Sequence, residues 1–491
     1  MRVQSVAMPG TKTAPGKTGK LEIAQPQLTR GLGPYATTAV VAGTVIGTGI
    51  FLVPSQMLAH TGSPLKVMSV WVFAGALSMF GALGYAELGG ALPEAGGEYV
   101  YLREAYGPGM GFVYGWSQFL VAKAASIATI ATGFLLYTSY FFPSLNDVLW
   151  RIPLGRGPHA PVFSLTGVQI GSALIILLLS GINVFGVRGS GALQTIFTVA
   201  KLSVLVVLIV GGLAFGHGSF DHFRAAVPAA AGTSGFLLAT VSALWAYDGW
   251  NNLSMVAAEV KNPGRNMPRA LIIGMLIVLG VYLLANVSYF YVLTPGEALA
   301  TTTIATSAAR RFMGAGGGTF VAVGALISIF AALNGSVLAG SRIPYAQAHD
   351  GLLPMRLARV HPRFHTPVVS IMAQAVVAGI FALTGGYEAL YTKAIYSEWI
   401  FYALCTAAIL ILRRRRPNLA RPYRTWGYPL VPLIFVTVAV LILGDTLVQR
   451  PADALWCLGL TVSGIPAYFV WKARRARSDA RAGAARVEES R

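Results

Sequence analysis

Twelve apolar runs recur along the chain, at roughly residues 36–57, 67–91, 109–140, 164–185, 191–214, 235–257, 270–293, 318–345, 368–386, 394–412, 428–447 and 454–471. Each has the length of a helix that crosses a bilayer, about 20 mostly apolar residues. The connections are short, which leaves room for one integral membrane domain over 35–472 and none for a folded soluble domain. Residues 1–34 hold Gly, Pro, Thr and Lys without an apolar run and read as a cytosolic N-terminal tail. Residues 473–491 read as a basic cytosolic C-terminal tail. The first apolar run starts too far in for a cleavable signal peptide. The pattern predicts an all-α integral membrane protein with 12 transmembrane helices.

Two runs make poor continuous helices. The first contains Gly43-Thr-Val-Ile-Gly47-Thr-Gly49-Ile-Phe51, and each helical glycine costs about 1 kcal/mol against alanine. The sixth contains the polar and aromatic stretch Trp245-Ala-Tyr-Asp-Gly-Trp-Asn-Asn252. These runs open two successive groups of five helices. Five is odd, so the second group begins from the opposite side of the membrane. This predicts an inverted repeat, about 35–215 and 234–413, with discontinuous helices 1 and 6 meeting at the midplane. Helices 11 and 12, about 428–472, lie outside it. Freed backbone in a membrane must line a cavity or be buried in protein. Opened helix ends offer N–H groups to a carboxylate and C=O groups to an ammonium, and an amino acid zwitterion needs both. The glycines alone also suit close helix packing, but the irregularity in the sixth run is no packing motif.

Composition narrows the class. Only 11% of residues are charged and 55% are hydrophobic, whereas soluble domains carry about 25% charged residues. A net charge of +19 could suggest nucleic acid, but its distribution points elsewhere. With both termini inside, 27 Lys and Arg fall on the inner face and eight outside, with Lys123 and Lys201 within spans. That bias orients the chain and sets its basic face against anionic lipid. Cys405 and Cys457 lie in apolar runs and read as core thiols. Neither has neighbours at metal-ligand spacing, so no metal site and no cofactor are expected. No run holds a catalytic cluster, which argues against an enzyme.

Gly43 to Phe51, Trp245 to Asn252 and Ala258-Glu-Val-Lys-Asn-Pro-Gly-Arg-Asn-Met-Pro268 resemble the amino acid–polyamine–organocation superfamily, most closely its L-type amino acid transporter branch. Gly84-Tyr-Ala-Glu-Leu-Gly89, Pro93 to Tyr99, Leu333-Asn-Gly-Ser336 and Ser341-Arg342 support it, over about residues 35–470. The resemblance implies the LeuT-type fold with a 5+5 inverted repeat, alternating access and, usually, amino acid exchange.

Residue roles follow from that resemblance. Thr48 and Gly49 match the positions that receive the substrate carboxylate; carbonyls near Val45 and Ile46, and around Trp245 and Asp248, receive the ammonium. Trp245 matches the gating aromatic over the substrate. Asn251 matches a position that supports the substrate or the opened helix. Lys201 lies about 15 Å into the fifth span, and an ionisable group at that depth is a functional candidate on physical grounds alone. In the family such a lysine stands where sodium-driven relatives bind sodium. It would bridge carbonyls near Gly47 to Ser336 or Ser341. Three roles are open to Asp248: contact with a cationic group of the substrate, pairing with a basic residue such as Lys123, or capping a helix end. Lys123 matches a place where L-type members carry a basic residue. Glu87 reads as structural, Asn334 as an interhelical hydrogen bonder. The connection from about Phe141 to Val162 has no cysteine, so no disulfide-linked heavy chain is expected.

The expectation is a sodium-independent L-amino acid exchanger of the cell membrane, neutral substrates favoured, with amino acid and lipid as its partners and no nucleic acid. The alternatives are a proton-coupled symporter and an exchanger that accepts cationic amino acids.

Overall fold

The computed structural model describes residues 30–94, 96–153, 162–185, 190–229, 232–349, 351–364 and 366–474. The tails expected at 1–34 and 473–491 therefore lie, but for 30–34 and 473–474, outside the described residues.

The chain folds as helices α1 (Pro34–Val45), α2 (Gly49–Thr61), α3 (Pro64–Ala91), α4 (Glu98–Tyr106), α5 (Pro108–Thr138), α6 (Gly167–Val184), α7 (Ser190–Phe215), α8 (Gly232–Tyr247), α9 (Asn252–Met255), α10 (Pro263–Val292), α11 (Pro295–Leu299), α12 (Ile304–His349), α13 (Val368–Thr384), α14 (Tyr387–Arg415), α15 (Leu430–Gln449) and α16 (Pro451–Arg474). α12 breaks at Gly314, which takes φ 66°. Prolines open many of these helices, where the missing N–H would have no partner anyway.

Each of the twelve apolar runs falls on a helix. Among the described residues, eight helices are long and apolar enough to cross a membrane, or nine when α1 and α2, bent by 45°, count as one span. The others fall short for local reasons. α8 stops at 16 residues because the chain breaks after Tyr247, and α13 has 17 residues. One element was not expected: strands β1 (Val148–Pro153) and β2 (Val162–Thr166) pair antiparallel in the connection from α5 to α6.

α2 packs on α8, and α1 and α3 pack on α10. Trp71, Tyr247 and Tyr282 meet edge-on between them, with ring centroids 5.1 to 5.6 Å apart. One end of the bundle is basic. There the buried Glu87 accepts from Arg413 at 2.9 and 2.7 Å and from the Thr425 N–H at 2.7 Å. Arg416 pairs with Glu104 at 2.7 Å. Partial burial alone would raise the Glu104 carboxyl, but hydrogen bonds from Arg103 and Arg416 hold it below its usual range. At the other end Glu388 bonds His60 at 3.1 Å and also Arg450, and Lys393 pairs with Asp453 at 2.6 Å. Both cysteines are free and buried.

Candidate substrate site

Two helices break side by side. α1 ends at Val45 and α2 begins at Gly49; α8 ends at Tyr247 and α9 begins at Asn252. Gly249 makes the second break possible: its φ of +113° is a conformation that L side chains rarely adopt, and a Cβ there would sit 3.1 Å from Thr44 O. The breaks are bonded to each other. Thr44 Oγ1 lies 3.1 Å from Gly249 O, its one proton shared between that carbonyl and those of Val40 and Val41 at 2.8 and 3.1 Å. Tyr282 Oη lies 3.0 Å from Val45 O and 2.8 Å from Ala246 O, its one proton serving either carbonyl.

Lys201 fills the first break. Its ammonium donates to Gly43 O and, at 2.8 Å, to Ile46 O. These carbonyls lie at the C-terminal end of α1, where the helix dipole places partial negative charge. The lysine is 8% exposed. The Val45 and Ile46 carbonyls thus already have protein donors, although each carbonyl oxygen can accept two.

A cavity of about 940 Å³ starts at the breaks and runs to the basic end of the bundle, where Arg103, Glu259 and Arg342 line it. Val45, Ile46, Gly47, Thr48, Gly49, Lys123, Lys201, Trp245, Asp248 and Ser336 all line it. Two candidates lie elsewhere. Asn251 is buried behind the break, donating to Glu98 Oε1 at 2.9 Å. Ser341 is buried and donates to Leu338 O at 2.9 Å. Asn334 joins α12 to α6, accepting from Asn183 at 2.7 Å. Asp248 accepts from Tyr402 Oη at 2.7 Å, while Lys123 pairs at 3.5 Å with Glu398.

Toward the opposite end two lining residues are held by a residue that carried no sequence signal. Tyr387 Oη donates to Thr48 Oγ1 at 3.0 Å and accepts from Trp245 Nε1 at 2.9 Å. It thereby ties the first residues of α14 to both broken helices. The Trp245 indole stacks on Tyr391, centroids 6.4 Å apart, and Tyr391 bonds Ser242 at 2.8 Å. Gly49 packs so closely on α8 that an added Cβ would lie 2.5 Å from both Ala246 Cα and Cβ.

Known proteins resemble this chain along most of its length. The amino acid permease family matches residues 32–454. The serine/threonine exchanger SteT of Bacillus subtilis is 33% identical over 452 residues, 91% of this chain and 98% of its own length. The b(0,+)-type amino acid transporter 1 of Mus musculus is 30% identical, covering 92% of this chain and 90% of its own. The human cystine/glutamate transporter is 30% identical, covering 94% and 88%. With two broken helices around a polar cavity and a family match along most of its length, the chain belongs to the amino acid permeases, multi-pass membrane proteins that transport amino acids.

Proposed function

We propose that this protein exchanges neutral L-amino acids across the cell membrane by alternating access, without sodium. The observation that carries the reading is Lys201: a fixed ammonium holds the carbonyls of the first break, as a bound cation otherwise would. An ammonium in that place leaves sodium nothing to bind. The zwitterion's carboxylate then takes Thr48 and the free N–H groups at the start of α2. Its ammonium takes carbonyls at the two breaks, under the Trp245 indole. The cavity's size is that of a small-molecule site, and the name of one relative, a serine/threonine exchanger, is that of a neutral amino acid carrier. Within this reading all twelve helical runs span the membrane as a 5+5 inverted repeat plus two. Both termini and the basic end of the bundle face the cytoplasm, because basic residues stay inside.

Purified protein in liposomes tests this. Vesicles loaded with one unlabelled amino acid per batch take up labelled serine or leucine. Uptake that requires an internal amino acid, and is indifferent to sodium and proton gradients, is the expected result. Uptake into empty vesicles under a proton gradient overturns exchange, and dependence on a sodium gradient overturns the role given to Lys201.

A further inference from the structure

Behind the second break, three carboxylates share one ammonium. Glu98 and Glu398 are 0% and 2% exposed, and Lys123 is 8% exposed. Both glutamates and Asp248 act electrostatically on Lys123. Among the described residues no second cation forms an ion pair with any of the three. The other titratable groups facing the cluster are Tyr85 of α3, Tyr101 of α4, Tyr114 of α5, and Tyr402 and Cys405 of α14. None of these carries a positive charge.

The three carboxylates are not equivalent. Glu98 accepts from Tyr114 at 2.6 Å, Asn251 at 2.9 Å and Tyr85 at 3.3 Å, so three neutral donors already occupy its oxygens. Asp248 accepts from Tyr402 and lines the cavity, where water reaches it. Glu398 does not line the cavity. Lys123 stands 3.5 Å from its Oε1, longer than a charge-assisted hydrogen bond of about 2.7–2.9 Å. Its Oε2 accepts from Gln118 Nε2 at 2.7 Å, while Gln118 Oε1 is buried with no donor. An amide can turn over. Its N–H suits an ionised carboxyl, and its oxygen, now unpaired, suits a carboxyl that carries a proton. Gln118 lies in a single π-helical turn, Gln118–Ala122, that runs directly into Lys123, a local irregularity that often marks functional sites.

We propose that Glu398 is a proton-binding site of this transporter. A carboxylate in a water-excluded place, whose one cation stands 3.5 Å away and is shared with two other carboxylates, takes up a proton rather than stay charged. The proton comes from water in the cavity by way of Asp248 and Lys123, both of which line it, and converts the carboxylate to a carboxylic acid with no other bond changed. Lys123 is then left to neutralise Asp248 at the break. Loss of the proton draws Lys123 toward Glu398 and strips Asp248 of its counter-ion, so the charge presented to the substrate depends on this one proton. The site concerns protonation of the resting protein and stands whether the carrier exchanges or symports.

Infrared difference spectra of the purified protein in lipid test it directly and read no transport. Exposed glutamates, with pKa about 4.3, contribute no carboxylic acid band at neutral pH. A carboxylic acid C=O band is expected at neutral pH that disappears on raising the pH, shifts on ¹³C-glutamate labelling, and is lost in Glu398→Gln. The isotope arm uses the unaltered protein and separates glutamate from aspartate; Glu98→Gln, which should keep the band, separates the two buried glutamates even if Glu398→Gln does not fold. Absence of any such band, a shift with ¹³C-aspartate instead, or a band that survives in folded Glu398→Gln overturns the proposal.

Discussion

A single phenol ties together two residues that line the cavity. Tyr387 bonds Thr48 and Trp245 at once, so Tyr387→Phe leaves a buried hydroxyl and a buried indole N–H without their partner. Unmade buried hydrogen bonds cost about 1–3 kcal/mol each, and 1.4 kcal/mol is a factor of ten in an equilibrium. The variant should therefore lose at least tenfold of its bias toward the conformation closed at the Glu388 end. Exchange measured with substrate limiting on each side in turn should shift asymmetrically, whereas an unchanged ratio of the two half-saturation concentrations would remove Tyr387 from the closure. Nothing in the sequence nominates this residue. It stands before the apolar run at 394–412 in no recognisable motif, and only the fold brings α14 against both breaks. Gln118 and Glu398 were equally silent, and Glu98 stood out only as part of the family stretch Pro93 to Tyr99. Each is an isolated polar residue in or beside an apolar segment, and they become a cluster only when α4, α5 and α14 pack.

At the scale of the helix, the breaks were legible because glycine spacing and a polar run are local signals. The first was expected across Gly43 to Gly49; the chain keeps helical geometry to Val45 and opens over three residues. Gly43 stays helical and lends its carbonyl to Lys201. Which carbonyls the lysine holds was not legible, since register across α7 and α1 is a matter of packing: it takes Gly43 and Ile46, and Ser341 of α12 turns back to its own helix. The α5–α6 hairpin was missed because a short edge pairing has little apolar alternation. Lys201→Ala leaves the end of α1 without its cation. It should abolish or strongly slow exchange at near-normal expression, with unequal loss on the two sides of the membrane. Liposome exchange with unchanged rates and affinities on both faces would show that the break holds itself open.

Over the whole molecule, the cavity reaches solvent at the basic end and is shut toward Glu388, His60 and Arg450. This asymmetry can be read with thiol chemistry, because the two native cysteines are buried. Ala339 lines the cavity and is exposed. Ala339→Cys should react with a membrane-impermeant thiol reagent applied from the basic side, and slowly or not at all from the other. Saturating amino acid should slow that reaction several-fold, while faster labelling from the Glu388 side would reverse the assignment of the open face.

The mouth of this cavity is framed by α1, through Val40, and by the segment after α9, through Val256 and Glu259. These are not separate walls. Leu32 receives and returns a backbone hydrogen bond there, its N–H to Glu259 O at 3.0 Å and its carbonyl from Lys261 N–H at 2.9 Å. A two-bond splice of this kind makes the start of the first broken helix and the exit from the second one mechanical part. When the mouth narrows, both sides must swing together as a single leaf, and any cargo attached ahead of Leu32 rides on the door rather than on its frame.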